Sequence, residues 1–198
     1  MKKLLLIILS LYVAVSTWGY GFASGGIYYT VTSSFSPYTV AVTRETINNH
    51  LGIVNIPHSV TNNSISYSVT SIGNACFRGF RGITSVSIPS SVTSIGDQAF
   101  DGCNSLTSVT IPSSVTSIGY GAFSGTGLTS VTIPPSVTSI REAVFEGSSL
   151  TSVTIPSSVD SIEGNAFFGT GLTSITIPSS VTYIGEGAFS GTGLTSVT

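Results

Sequence analysis

Few side chains in this sequence could do chemistry. Its 198 residues include two histidines, His50 and His58, two cysteines, Cys76 and Cys103, and eight carboxylates. A zinc or copper site needs several His, Cys or carboxylate ligands at short sequence spacings, and neither histidine has such a partner beside it. Serines abound, but none sits in a Gly-x-Ser-x-Gly turn, and no acid follows with a histidine to serve as base. Seven carboxylates, Asp97, Asp101, Glu142, Glu146, Asp160, Glu163 and Glu186, fall on the same side of their sequence units. A calcium site would need several of them at one level; spread out, they predict a solvated acidic edge. The residues therefore predict no catalytic, cofactor-binding or metal site, and a protein that is not an enzyme.

Composition narrows the alternatives. Charged residues make up only 7% and hydrophobic residues 41%. Beyond Lys2 and Lys3 the chain has no lysine, and its four arginines face eight carboxylates, a net of −4. Nucleic-acid binding requires clustered Lys and Arg, so that class is excluded. Ser and Thr supply 62 residues and Gly another 22, yet Val, Ile and aromatics are too plentiful for a disordered chain. Something repetitive must order them.

Lys2 and Lys3 precede an apolar run from Leu4 to Val15, followed by small and aromatic residues up to Ala23. That run is shorter than the roughly 20 residues a spanning helix needs. The pattern predicts a cleaved secretion signal over 1–23, cut after Gly21 or Ala23, with an uncleaved anchor as the alternative. No later apolar segment is long enough to hold the mature chain in a membrane, so the expected location is secreted or cell-surface.

The elements come from a repeat. Ile88-Pro89, Ile111-Pro112, Ile133-Pro134, Ile155-Pro156 and Ile177-Pro178 recur at spacings of 23, 22, 22 and 22, and Phe77, Phe100, Phe123, Phe145, Phe167 and Phe189 keep the same beat. In Leu106-x-x-Val109-x-Ile111 the last two point inward from one strand and Thr110 points out. Pro112 closes that strand. Val115 and Ile118 re-enter the core from a second short segment, Gly119 turns the chain, and Ala122-Phe123 inserts a small and a large residue. The period and the apolar positions match a leucine-rich repeat. The predicted fold is a β-rich solenoid, a right-handed superhelix of about six coils of 22–23 residues with parallel strands.

The motif LTSVTIPSSVTSIGxxAFxG, repeated from about Val69 onward, resembles the BspA-like leucine-rich repeats of bacterial and protist surface proteins. Residues 26–31 (GIYYTV), 54–60 (VNIPHSV) and 67–73 (YSVTSIG) are similar to that family's entry segment. The expected organisation is a signal at 1–23, an N-terminal β cap and entry coil with a hairpin insertion at 24–68, and a repeat solenoid at 69–198. Residues 26–56 would cap the first coil with antiparallel strands, and the extra residues around Asn62-Asn63-Ser64 would form the hairpin. The last residues, Leu194 to Thr198, stop in mid-repeat with no polar C-terminal cap. That predicts a truncated chain, or self-association through the open C-terminal coil.

Aligned by repeat, Cys76 stands in the column of Ala99 and Ala122, and Cys103 in the column after Phe-x-Gly; both are expected as buried small hydrophobes. His58 stands in a column of Ser90, Ser113, Pro135, Ser157 and Ser179, a surface position. Arg141 and Glu163 replace the turn glycine in neighbouring coils and should form a surface ion pair of about 0–1 kcal/mol. Their presence predicts that this column needs no positive φ. Asn62-Asn63-Ser64 fits an N-glycosylation sequon in a eukaryotic source. Asp160-Ser161-Ile162 resembles an O-glycosylation triplet of some anaerobic Gram-negative bacteria.

The surface that repeats best is the outer side of the Leu-rich strand. Ser85 and Ser87, Ser108 and Thr110, Ser130 and Thr132, Ser152 and Thr154, and Ser174 and Thr176 form two uncharged hydroxyl ranks, the candidate binding face. The family resemblance implies non-catalytic adhesion to host matrix proteins or to other cells, spread over many coils. Hydroxyls that merely satisfy one another along a ladder are the bland alternative. The competing functions are a structural spacer or truncated fragment of a longer adhesin, and ice binding by the flat Ser/Thr ranks.

Overall fold

The computed structural model describes residues 21–44 and 52–198. Most of the expected signal, including its lysines and apolar run, lies outside the described residues, as does His50.

Strands β1 (Gly21–Ser24), β2 (Ile27–Ser33) and β3 (Thr39–Thr43) form an antiparallel leaf. Gly25 and Gly26, at φ 57° and 78°, make the tight turn between the first two, a conformation that glycine adopts without a Cβ penalty. Next come β4 (Gly52–Asn55), β5 (Ser59–Asn62) and β6 (Ile65–Ile72). The last two form a hairpin turning at Asn63 and Ser64, φ 49° and 64°. β3 lies parallel to β6, where antiparallel pairing gives way to stacked coils.

β4 does not join the antiparallel leaf expected over 26–56. It runs parallel to β7 (Ile83–Ser87), because Val54-x-Ile56-Pro57 is already a copy of Val86-x-Ile88-Pro89 and buries the same two apolar positions.

Each further coil adds two short strands: β8 (Ser94–Ile95), β9 (Ser108–Thr110) and β10 (Ser117–Ile118), then β11 (Ser130–Thr132) and β12 (Ser139–Ile140). The series continues with β13 (Ser152–Thr154), β14 (Ser161–Ile162), β15 (Ser174–Ile175), β16 (Tyr183–Ile184) and β17 (Ser196–Val197). The first wall consists of β4-β7-β9, β11-β13 and β15-β17; the second contains β6-β8-β10 and β12-β14-β16. Pairing between coils is parallel and keeps equivalent residues opposite each other, as with Ser130 and Ser152. No α-helix occurs among the described residues, so no helix there could cross a membrane.

A third wall is made of turns, and its ladder is unbroken. Phe77 N donates to Ala99 O at 2.7 Å, Phe100 N to Ala122 O at 2.8 Å, Phe123 N to Val144 O at 2.9 Å and Phe145 N to Ala166 O at 3.0 Å. Inside it the phenylalanine rings from Phe77 to Phe189 stack at centroid distances of 5.3, 5.3, 5.8, 5.6 and 5.4 Å. Leu106, Leu128, Leu150 and Leu172 are fully buried beside them. Burying each such side chain contributes about 1.5–3 kcal/mol, and each coil covers the next, so the stack is stable where one coil alone would not be.

Small polar residues hold the coils in register. The hydroxyls of Ser114, Ser158 and Ser180 each donate at 2.7 Å to the carbonyl of Val92, Val137 and Val159 in the preceding coil. Thr126 and Thr170 are buried and donate at 2.9 Å to the Phe123 and Phe167 carbonyls.

Two columns in the turns have distinct backbone demands. Gly119 is not left-handed; a Cβ there would sit 2.5 Å from Asp97 N, so it is close approach of the coils that favours glycine. The left-handed residue comes two positions later, at Gly121 and Gly187 but also at Gln98, Ala143 and Asn165, φ 53°, 56° and 54°. Non-glycine residues there carry a cost of about 1–2 kcal/mol.

The strand walls are interrupted. Between β9 and β11, and between β10 and β12, neither wall pairs. Thr107 N, Thr116 N and Gly119 N reach carbonyls of the preceding coil at 3.1, 2.9 and 2.9 Å, and the equivalent amides of Thr129, Thr138 and Arg141 reach none. This seam divides the stack on two sides, while the turn ladder runs on through it. The first wall opens once more between β13 and β15. At both openings a Thr-Gly link (Thr126-Gly127, Thr170-Gly171) stacks on a link ending in Ser (Asn104-Ser105, Ser148-Ser149).

Candidate interaction face

The first wall carries the candidate face. Val86 and Val131 are buried, while Ser87, Ser108, Thr110, Ser130, Thr132, Ser152, Thr154, Ser174 and Thr176 are exposed and Ser85 half-buried. Strand alternation puts these hydroxyls on the outer side. The pairing registers set Ser85 opposite Ser108 and Ser87 opposite Thr110, and Ser152 and Thr154 opposite Ser130 and Thr132. The two ranks are not continuous, because the wall opens before β11 and again before β15.

The face extends further than the ten residues above. β4 adds Ile53 opposite Ser85 and Asn55 opposite Ser87, and Ile53 is 69% exposed. Aligning Val54-Asn55-Ile56-Pro57 with Val86-Ser87-Ile88-Pro89 is the sequence signal that could have found them. At the other end Ser196 pairs with Ser174, and the Thr176 and Thr198 hydroxyls lie 3.1 Å apart.

Over β13, β15 and β17 the face is hollowed into a cleft of about 470 Å³. Ser152, Thr154, Ser174, Thr176, Ser196 and Thr198 line it, with Val153, Ile155 and Ile175 between them. No charged or aromatic side chain takes part in the lining. It offers hydroxyl donors and acceptors above an apolar floor, at the second opening of the wall, so neutral hydrogen-bonding groups suit it best.

The remaining candidates lie elsewhere. His58 is exposed, and its carbonyl accepts from Val69 N at 2.9 Å and Ser91 Oγ at 3.3 Å. Cys76 and Cys103 are buried, as expected of small hydrophobes. The Cys103 thiol donates to Phe77 O at 3.0 Å, and burial pushes it up to about 12, with nearby Asp101 adding to the rise. Burial likewise raises Cys76. No cluster of three metal-ligating side chains occurs among the described residues.

Arg141 and Glu163 do meet, at 3.9 Å. The Glu163 carboxylate is held more closely by Ser139 Oγ at 3.0 Å and Glu142 N at 3.1 Å. A shorter ion pair, Arg78 with Asp101 at 2.9 Å, links adjacent coils. Asn74 and Asp97 cap the following turn, accepting from Asp97 N and Tyr120 N at 2.9 Å. Part of the acidic edge therefore closes the stack of turns.

Parallel strand walls, a turn ladder and a Leu-Val-Ile-Phe core define a leucine-rich-repeat solenoid. The chain belongs to the BspA type leucine rich repeat family, which matches residues 56–169 in six copies. It is similar to a leucine rich cell surface protein of Faecalibacterium prausnitzii, at 35% identity and TM-score 0.70 over 93% of this chain and 55% of that one. The pneumococcal vaccine antigen PcpA shares the fold at TM-score 0.77 and 24% identity, over 92% of this chain and 50% of PcpA. A leucine rich repeat protein of T. pallidum matches at TM-score 0.56 and 25% identity, over 90% and 71% of the two chains. This chain thus spans about half the length of the first two. No curated protein matches it significantly. Repeats of this family generally serve as scaffolds for protein–protein contact and not as catalysts.

Proposed function

We propose that the chain is exported and acts at the cell surface as a non-catalytic adhesion module, binding host matrix proteins or other cells through the outer face of the first wall. In this reading a right-handed stack of about six coils over residues 69–198 presents the face. Residues 24–68 are the cap and entry coil. The observation that carries it is the neutral hydroxyl-lined cleft over β13, β15 and β17. The cell-surface description of the F. prausnitzii relative supports the location.

The test is binding of the purified chain to immobilised matrix proteins, read by interferometry. Saturable binding to a defined partner is expected. The double substitution Thr154→Arg and Thr176→Arg, which puts charge into a neutral cleft at exposed positions, should abolish it without lowering the melting temperature. Absence of saturable binding, or equal binding by the variant, would overturn the assignment and leave the chain as a spacer.

A further inference from the structure

The second opening of the first wall sets the chemistry that the cleft over β13, β15 and β17 accepts, an inference that rests on the proposed role of that face in binding. Where the wall is paired, Ile133 N donates forward to Thr154 O at 3.3 Å and Ile177 N to Thr198 O at 2.8 Å. In the other direction Thr151 N donates to Thr129 O at 2.9 Å and Thr195 N to Thr173 O at 3.0 Å. Between β13 and β15, which do not pair, the counterparts of both bonds are missing. Ile155 N and Thr173 N reach no carbonyl, and Thr151 O and Thr176 O accept from no amide. Ile155 is only 8% exposed, and a backbone group so buried needs a partner. Two strand edges carrying unpaired donors and acceptors therefore face each other across the opening.

The opening is too narrow for an added strand. Its two coils are tied on one side by the pairing of β14 with β16. On the other side the turn ladder holds them, with Phe167 N donating to Ala188 O and Gly169 N to Ser190 O, both at 2.8 Å. A peptide strand would have to part these coils by a further strand spacing, about 4.8 Å. A single amide group carried in from outside fits instead, its N–H on a carbonyl of one edge and its C=O on an amide of the other. The floor of Val153, Ile155 and Ile175 suits a small apolar substituent on that amide, and the hydroxyls at the rim suit neutral hydroxyls around it. No charged side chain lines the cleft to hold an acidic or basic group. We propose that the cleft binds the acetamido group of an N-acetylated sugar, with the methyl on the floor, the amide between the two edges and the ring hydroxyls at the rim. The element recognised on a matrix protein or another cell is then its glycan.

The test is calorimetric titration of the purified chain with triacetylchitotriose and with cellotriose, which differ only in carrying an acetamido or a hydroxyl group on each ring. The acetylated trimer should bind about tenfold tighter or more, through two hydrogen bonds and a buried methyl. Its acetyl methyls should show the strongest saturation transfer in NMR. Thr154→Arg with Thr176→Arg should abolish this binding, and Ser87→Arg, on the same face but away from the cleft, should leave it unchanged. Equal binding of the two trimers, binding of neither, or equal loss with Ser87→Arg would overturn the proposal. A matrix protein bound equally well before and after enzymatic removal of its N-acetylated glycans would also overturn it and leave the adhesion reading standing. Binding of the acetylated trimer with no matrix protein bound would overturn the matrix partner alone.

Discussion

The seam between β9–β10 and β11–β12 makes a quantitative prediction about local opening. Both strand walls are unpaired there, and three amides lack the inter-coil bond their equivalents make. Beside the turn ladder, the seam keeps the Ser136 hydroxyl, which lies 2.7 Å from Ser113 O and 2.5 Å from Val115 O. A net bond contributes about 0.5–1.5 kcal/mol, so three missing bonds lower the cost of parting these coils by about 1.5–4.5 kcal/mol. That corresponds to roughly a tenfold to thousandfold larger open population, because each 1.4 kcal/mol is a factor of ten. Hydrogen exchange read by mass spectrometry should therefore show residues 126–141 exchanging faster than 104–119 and 148–163. Replacing Ser136 by Ala removes the hydroxyl staple and should speed exchange at the seam a further 2- to 12-fold, roughly. Ser158→Ala, where the second wall is paired, should leave residues 148–163 slower to exchange than the seam. Uniform protection across the three windows in the native chain, or no response to Ser136→Ala, would refute the reasoning.

Other perturbations test the core and the buried titratable groups. Phe123→Ala removes a fully buried ring stacked at 5.3 and 5.8 Å on its neighbours; it should cost about 3–5 kcal/mol and lower the melting temperature by roughly 6–20 °C. A drop under about 2 °C would mean the stack is not what holds the coils. The Ser148 hydroxyl is buried without a partner, whereas Thr126 and Thr170 in the same column bond the carbonyl three residues back. Ser148→Thr should therefore stabilise by about 1 kcal/mol, and a lower melting temperature would show that the extra methyl has no room. Burial pushes Cys103 from 9.0 and Tyr29 from 10.0 up to about 12 each. Both acids keep their protons in the folded chain after the unfolded chain has lost them, so stability is intact below pH 9 and declines as pH rises from 9 toward 12. Melting curves between pH 8 and 11 should show that decline, and combining Cys103→Ala with Tyr29→Phe should reduce its slope; a pH-independent melting temperature would contradict it.

The repeat was legible because a solenoid is nearly one-dimensional: each coil contacts only its neighbours, so the period alone tells which columns stack. Val109, Ile111, Val115, Ile118 and Phe123 could be placed on their walls from spacing, and the outward Ser/Thr ranks followed from strand alternation. The ion pair of Arg141 with Glu163 followed from the same column arithmetic. Other features needed the third dimension. The left-handed column passes for two variable residues in sequence, because Gln98, Ala143 and Asn165 accept a conformation that Gly121 and Gly187 only hint at. The glycine at 119 reads as a turn former, yet its role depends on how near the preceding coil lies. The seam and the cleft depend on whether one coil's amides still reach the carbonyls of the last. Residue types and their period therefore determine the class of fold and the uncharged character of its face. Where that face opens, and which hydroxyls surround a cavity, is settled by the stacking of neighbouring backbones, which no single repeat contains.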